Sequence, residues 1–219
     1  SIRTGANNSG VVYSDTSLST DETLTLYAAG YDAESNFIND ISVDWDVTGD
    51  LDNALSPTTG TSTVFSPNTS GTSGTITFDY NSGTITGATG TVDVTGGEVA
   101  TIRIRTEANN AGVVYTDTTM TTDIDLTLHA AGYDAEDNYL HDVDVTWSGT
   151  ADLAALVSGS GSSYVFSPVT SGISGRIEAD SALVTGTTGT ITVNSGALVA
   201  ISIRTGANNS GVVYSDTSL

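Results

Sequence analysis

The sequence predicts an all-β chain built as two consecutive sandwiches of about seven short antiparallel strands each, and three observations predict it. Apolar and polar residues alternate along several short runs. Gly, Asn, Asp, Ser and Pro separate those runs. The whole pattern occurs twice in register.

Alternation comes first, because a strand with one face on a core places every second side chain inside. Leu24, Leu26 and Ala28 alternate with Thr23, Thr25 and Tyr27, and Leu126, Leu128 and Ala130 repeat them. Ile41, Val43 and Trp45 alternate with Ser42, Asp44 and Asp46, as Val143, Val145 and Trp147 do with Asp144 and Thr146. Trp45 and Trp147 are therefore expected in the core, between two sheets. Further strands are predicted at 1–5 with 10–14, 61–66, 74–80 and 89–95, and at 100–106 with 112–116, 162–167, 175–180 and 188–194. One helical turn is expected near 152–156. A closed barrel fits less well, since each unit needs two ends to join its neighbours.

Self-similarity sets the domain organisation. SIRTGANNSGVVYSDTSL at 1–18 recurs letter for letter at 202–219, a period of 201 residues. Within it IRTEANNAGVVYTDT (104–118) echoes IRTGANNSGVVYSDT (2–16) at an offset of 102. LTLYAAGYDAESNFINDISVDW (24–45) matches LTLHAAGYDAEDNYLHDVDVTW (126–147), and TSTVFSPNTSGTSGTI (61–76) matches SSYVFSPVTSGISGRI (162–177). Repeat one is read as 1–97, repeat two as 98–196, and 197–219 as the first strands of a following repeat. The joints Thr95-Gly96-Gly97-Glu98 and Asn194-Ser195-Gly196 are short, which predicts restrained neighbours.

Composition narrows the partners. There are 26 acidic residues against 5 arginines and no lysine, for a net charge of −21. That field repels nucleic acid and anionic lipid. It suits either a salt- or calcium-rich setting or simple solubility. The chain has no cysteine for disulfides, and neither the lysine nor the glutamine that isopeptide or ester cross-links require. No apolar run reaches the roughly 18 residues of a spanning helix, so no membrane insertion is expected in this segment. Residues 1–10 lack a signal pattern, and any export signal is expected upstream.

AGYDAESNFINDISVDW, TSTVFSPNTSGTSGTI and the closing TGTVDV resemble the immunoglobulin-like repeats of bacterial surface proteins of the invasin and intimin kind. The resemblance spans nearly all of both units. It implies tandem immunoglobulin-like β-sandwiches in an extracellular or cell-surface protein, with a role as spacer, adhesive tip or filament part. The sequence departs from the commonest form at Ser35 and Asp137, where glycine usually precedes the asparagine.

The strongest chemical candidate is the acidic turn. Asp32, Glu34, Asn36 and Asp40, with Asp134, Glu136, Asn138 and Asp142 in repeat two, offer hard oxygen ligands of the kind calcium prefers. Turns closed by Asx hydrogen bonds, with solvated acids, are the alternative. A second acidic group, Asp15, Asp21 and Glu22 with Asp117, Asp123 and Asp125, is expected near a loop at one pole, close to a joint. His129 and His141 align with Tyr27 and Asn39 and so mark no shared site. No G-x-S-x-G elbow occurs, and no enzymatic activity is predicted. Asn7, Asn68 and Asn208 head sequons in predicted loops. Arg3, Arg103, Arg105 and Arg204 are expected to pair with acids of a neighbouring strand or module.

Three functions remain open: a passive length unit of an adhesin stalk, a subunit of a filament, sheath or matrix, and a carbohydrate- or receptor-binding module. The second takes other copies of the chain as partners through strand addition by 202–219, with Ile203, Val212 and Val213 as the donated residues. The third rests on Tyr13, Tyr31, Phe37, Tyr115, Tyr133 and Tyr139. In all three, neighbouring repeats of the same chain are partners.

Overall fold

In the computed structural model, which describes residues 1–213, strands account for nearly all the regular structure. In repeat one the long strand Leu24–Tyr31 is the organising element. It pairs antiparallel with Ile2–Arg3 on one side, and with Ser62–Phe65 and Phe37–Asp40 on the other. A second ladder runs Ile85–Ala88, Ile76–Tyr80, Val43–Val47, Thr59–Gly60. A third joins Thr16–Ser19, Val92–Thr95 and Thr72–Gly74. Repeat two reproduces the scheme around Leu126–Tyr133, which pairs with Thr101–Arg105, Ser163–Phe166 and Tyr139–Asp142.

The alternation does what it predicts. Val43 and Trp45 are buried while Asp44 and Asp46 are exposed, and Val145 and Trp147 are buried while Asp144 and Thr146 are exposed. The indoles are 4% and 1% accessible, and each Nε1 donates to a backbone carbonyl, Gly60 O at 3.0 Å and Gly161 O at 2.9 Å. Burying an aromatic ring of this size is worth about 2–3 kcal/mol, provided its N–H keeps a partner. The core around Trp45 draws only on residues from Ile2 to Val94, and that around Trp147 only on residues from Val99 to Val193.

The strands are more numerous and shorter than the pattern suggests. The segments at 10–14 and 112–116 make only isolated bridges, Arg3 to Val12 and Arg105 to Val114. The intervening turns leave too few residues for a ladder. Not every pairing is antiparallel: Thr16–Ser19 lies parallel to Val92–Thr95, and Thr118–Thr121 to Ile191–Asn194. The expected helical turn is a single 3-10 turn, Ala151–Leu153, which buries Leu153.

Ser35 and Asp137 adopt φ of +67° and +73°. The turn needs a left-handed residue there whatever its identity, which is the position the common glycine fills. Asn7 and Asn8, and Asn109 and Asn110, do the same in the first turn of each repeat, where asparagine tolerates positive φ best.

Candidate functional site

The acidic turn closes through the same Asp–Asn bonds in both repeats and meets different surroundings. In repeat one, Asp32 Oδ1 accepts from Asn36 N (2.7 Å) and Glu34 N (3.0 Å), and Oδ2 accepts from Asn36 Nδ2 (2.9 Å). In repeat two, Asp134 Oδ1 accepts from Asn138 N (2.8 Å), and Oδ2 from Asn138 Nδ2 (2.9 Å). Each aspartate thus closes its own Asx turn. Asp32 is exposed, whereas Asp134 is 2% accessible.

The difference is the joint. The Thr20 hydroxyl of repeat one donates to Asp134 Oδ2 at 2.8 Å, and Gly97 N–H points at the same oxygen from 3.4 Å. Asn138 Nδ2 donates to the Asn68 carbonyl at 2.9 Å, and its Oδ1 accepts from Ser70 N at 3.3 Å. Gly97 N also donates to Thr20 Oγ1 (2.9 Å), and Glu98 N to Asp21 Oδ2 (2.6 Å), which fixes the linker against the pole of repeat one. A Cβ on Gly97 would fall 2.3 Å from the Asp21 carboxylate, and one on Gly96 2.1 Å from Leu140 Cδ2. Two glycines let the chains approach this closely.

Burial alone raises the carboxyl pKa of Asp134, but hydrogen bonds from Asn138, Thr20 and Gly97 outweigh it and hold the group below its ordinary value. The Asp32 carboxyl is also lowered, chiefly by the Asn36 side chain.

The remaining members of the acidic set are used locally. Asp40 Oδ2 accepts from Asn7 N (2.8 Å), and Asp142 Oδ2 from Asn109 N (3.0 Å). Asp142 Oδ1 takes the Tyr139 hydroxyl at 3.0 Å, whereas the matching Phe37 has none to give and Asp40 Oδ1 is left buried without a partner. Glu34 lies exposed, and Glu136 half-buried with one oxygen unpartnered. Among the described residues no three carboxylate or imidazole side chains converge as a cation site would need. Calcium at either turn would compete with the donors that the aspartates already hold.

Asp15 and Asp117 accept from Thr91 N (2.8 Å) and Thr190 N (2.7 Å), each fastening the closing strand. His141 is exposed and His129 half-buried. The arginines correct an expectation. Arg103 pairs with Asp137, the one ion pair among the described residues, while Arg3 and Arg105 donate to turn carbonyls instead. Arg3 reaches Ser9 O (3.3 Å) and Gly10 O (3.0 Å), and Arg105 reaches Ala111 O (3.0 Å) and Gly112 O (2.8 Å). The Tyr31 and Tyr133 hydroxyls complete these staples by donating to Asn8 and Asn110. A guanidinium fork matches the two successive carbonyls that follow each left-handed Asn-Asn pair better than a distant acid. Sequence reading missed this staple, although the repeated R-T-x-A-N-N spacing was its signal.

The aromatic residues pack on one another. Tyr31 meets Phe37 edge-on at 6.0 Å, as Tyr133 does Tyr139 at 5.9 Å, and Arg103 lies 4.4 Å over the Tyr133 ring. Tyr13 and Tyr115 pack against the two cores. Of the expected strand-donating residues, Ile203, Val212 and Val213 are all exposed.

Paired ladders around two separate cores define the class: a tandem, immunoglobulin-like, all-β sandwich protein. No family model matches the chain, and no curated protein does. Solved structures with similar architecture include the insect immune protein hemolin, with 12% identity, a TM-score of 0.36, and coverage of 87% of this chain and 49% of that one. The Yersinia pseudotuberculosis adhesin InvE has 14% identity and a TM-score of 0.30, with coverage of 82% and 56%. Sidekick-1 immunoglobulin domains 1–4 have 7% identity and a TM-score of 0.27, with coverage of 88% and 51%. The chain spans about half the length of each of these. Likeness this distant says nothing of function, and the fold assignment rests on the ladders themselves.

Proposed function

We propose that the chain is a length unit of an extracellular or cell-surface protein, with repeats 1–97 and 98–196 as restrained modules that hold another activity away from the surface. This reading takes up the resemblance to bacterial invasin- and intimin-type repeats. One observation supports it above the rest: two turns that differ at a single residue, Ser35 against Asp137, and share the same Asx closure differ in burial because one is docked on a neighbouring repeat. A joint with a buried, fully hydrogen-bonded carboxylate resists bending, since opening it strands donors and rehydrates a charge. Repeated sandwiches joined this way gain reach with each copy.

Small-angle scattering tests it. The double variant Asp134→Ala/Asn138→Ala removes the side chains that bridge the joint, and the pair-distance distribution should broaden. Asp32→Ala/Asn36→Ala, the same change in the undocked turn, should leave it unaltered. Superimposable profiles for all three proteins refute a restraining joint.

A further inference from the structure

The one kind of pairing that is not antiparallel joins an early strand of each repeat to its last. Thr16–Ser19 lies parallel to Val92–Thr95, in register from Thr16 opposite Val92 to Ser19 opposite Thr95. Backbone bonds close both ends, Thr16 N to Thr91 O at 2.9 Å and Thr20 N to Thr95 O at 3.0 Å. Thr118–Thr121 and Ile191–Asn194 form the same ladder in repeat two, closed by Thr118 N to Thr190 O (2.9 Å) and Thr122 N to Asn194 O (3.1 Å).

Side chains of the earlier strand prolong each ladder past both ends. Ahead of the first pair, Asp15 Oδ1 accepts from Thr91 N at 2.8 Å. Beyond the last pair, Thr20 Oγ1 accepts from Gly97 N at 2.9 Å and Asp21 Oδ2 from Glu98 N at 2.6 Å. In repeat two Asp117, Thr122 and Asp123 accept in the same way from Thr190 N, Gly196 N and Ala197 N, at 2.7, 3.1 and 2.6 Å. Glycine makes room for these acceptors. A Cβ on Gly90 would lie 2.5 Å from Asp15 Oδ1, and one on Gly97 or Gly196 would lie 2.3 or 2.2 Å from the Asp21 or Asp123 carboxylate. Gly189 holds the same place beside Asp117, with a Cβ 2.3 Å from its backbone nitrogen. The acidic residues 15, 21, 117 and 123 thus have one shared task, which is to lengthen a ladder of four residues a strand.

Strand direction decides what such a ladder resists. Tension along the chain draws the earlier strand back through residue 14 and the last strand forward through residue 98. In an antiparallel pair those two pulled ends would lie together, and the bonds would open one after another. In a parallel pair they lie at opposite ends, so the strands part only by sliding lengthwise, and all the bonds between them are loaded at once.

We propose that these two prolonged parallel ladders are tension latches, and that the carboxylates of Asp15, Asp21, Asp117 and Asp123 set how fast a repeat yields when the chain is pulled. An N–H bond to a carboxylate is stronger than one between neutral groups, which suits the ends of a ladder that would otherwise fray. The inference rests on the reading of the chain as a length unit and adds that the length is kept under load.

The test pulls single molecules of the 219-residue chain at constant force, through one cysteine added at each end of a sequence that has none. Two separate cores give two unfolding steps, one for each repeat. Forced unfolding is governed by the unfolding rate, so the rate of each step at fixed force is the readout. Losing a charge-assisted bond that breaks before the barrier should speed a step by about tenfold or more. Asp15→Ala should do this to one step alone, and Asp117→Ala to the other. Asp40→Ala is the matched control: its carboxylate also accepts a backbone N–H, that of Asn7 at 2.8 Å, but lies off the parallel ladder. It should change neither step by more than about twofold, because its bond is not among those that slide. Alanine variants at 15 and 117 that yield no faster than Asp40→Ala overturn the proposal. Should an alanine variant not fold, Asp15→Asn, which keeps an oxygen acceptor and loses the charge, is read in its place, and a rate equal to the parent's overturns the proposal. Asp15 and Asp117 make none of the hydrogen bonds of the joint. Superimposable scattering profiles for the turn variants would therefore refute the restrained joint and leave the latch standing, and a failed latch would leave the joint.

Discussion

Asp134→Ala is the sharpest probe of the joint, because the protein contains its own control. Asp32→Ala removes the turn's hydrogen bonds from Asn36, and one further bond from Glu34 N that Asp134 lacks, at an exposed site. Asp134→Ala removes the internal bonds from Asn138 together with the 2.8 Å bond from Thr20 and the longer contact from Gly97. A hydrogen bond to a charged acceptor is worth about 1.5–3 kcal/mol, and a donor left buried without a partner raises the loss. The two substitutions should therefore differ by about 2–3 kcal/mol. In a domain of this size each kcal/mol moves the melting midpoint by about 4–8 °C, so Asp134→Ala should melt about 10 °C or more below Asp32→Ala by calorimetry. A cycle with Thr20→Val should return a coupling energy of about 1.5–2 kcal/mol. Equal losses from the two alanine variants, or no coupling to Thr20, refute the assignment of Asp134 to the joint.

Three further outcomes follow from the same geometry. Phe37→Tyr supplies the hydroxyl that Tyr139 gives Asp142 and should satisfy the buried Asp40 Oδ1, stabilising repeat one by about 1 kcal/mol in a chemical denaturation series. Acid should loosen the joint: a carboxyl lowered on folding stabilises the protein above its unfolded pKa of about 3.9, and that contribution disappears as pH falls through the folded value. Stability measured below about pH 4 should fall less steeply for Asp134→Ala than for the parent chain. Calcium should raise the midpoint no further than sodium chloride of equal ionic strength, since both turn aspartates already hold their own donors. A calcium-specific rise of many degrees would assign coordination to the turns instead.

Much of the site was legible as residues and little of it as contacts. Asp134 and Asn138 stand out in the sequence as oxygen-rich turn residues, and so do Asp32 and Asn36. Nothing in the local pattern separates the two pairs. The bond that does so joins Thr20 to Asp134, 114 positions apart. Arg3 and Arg105 likewise look like candidates for salt bridges. Their carbonyl partners are set by a turn whose left-handed asparagines only the folded backbone reveals.

The sequence alone determined that this is a repeated all-β protein with Trp45 and Trp147 inside, because a strand's two faces are written into alternate residues and a repeat is written into letter identity. Tertiary structure decided which copy of a shared turn is buried and which strand runs parallel to its neighbour. Those outcomes depend on which distant surfaces meet, and side-chain periodicity carries no record of that.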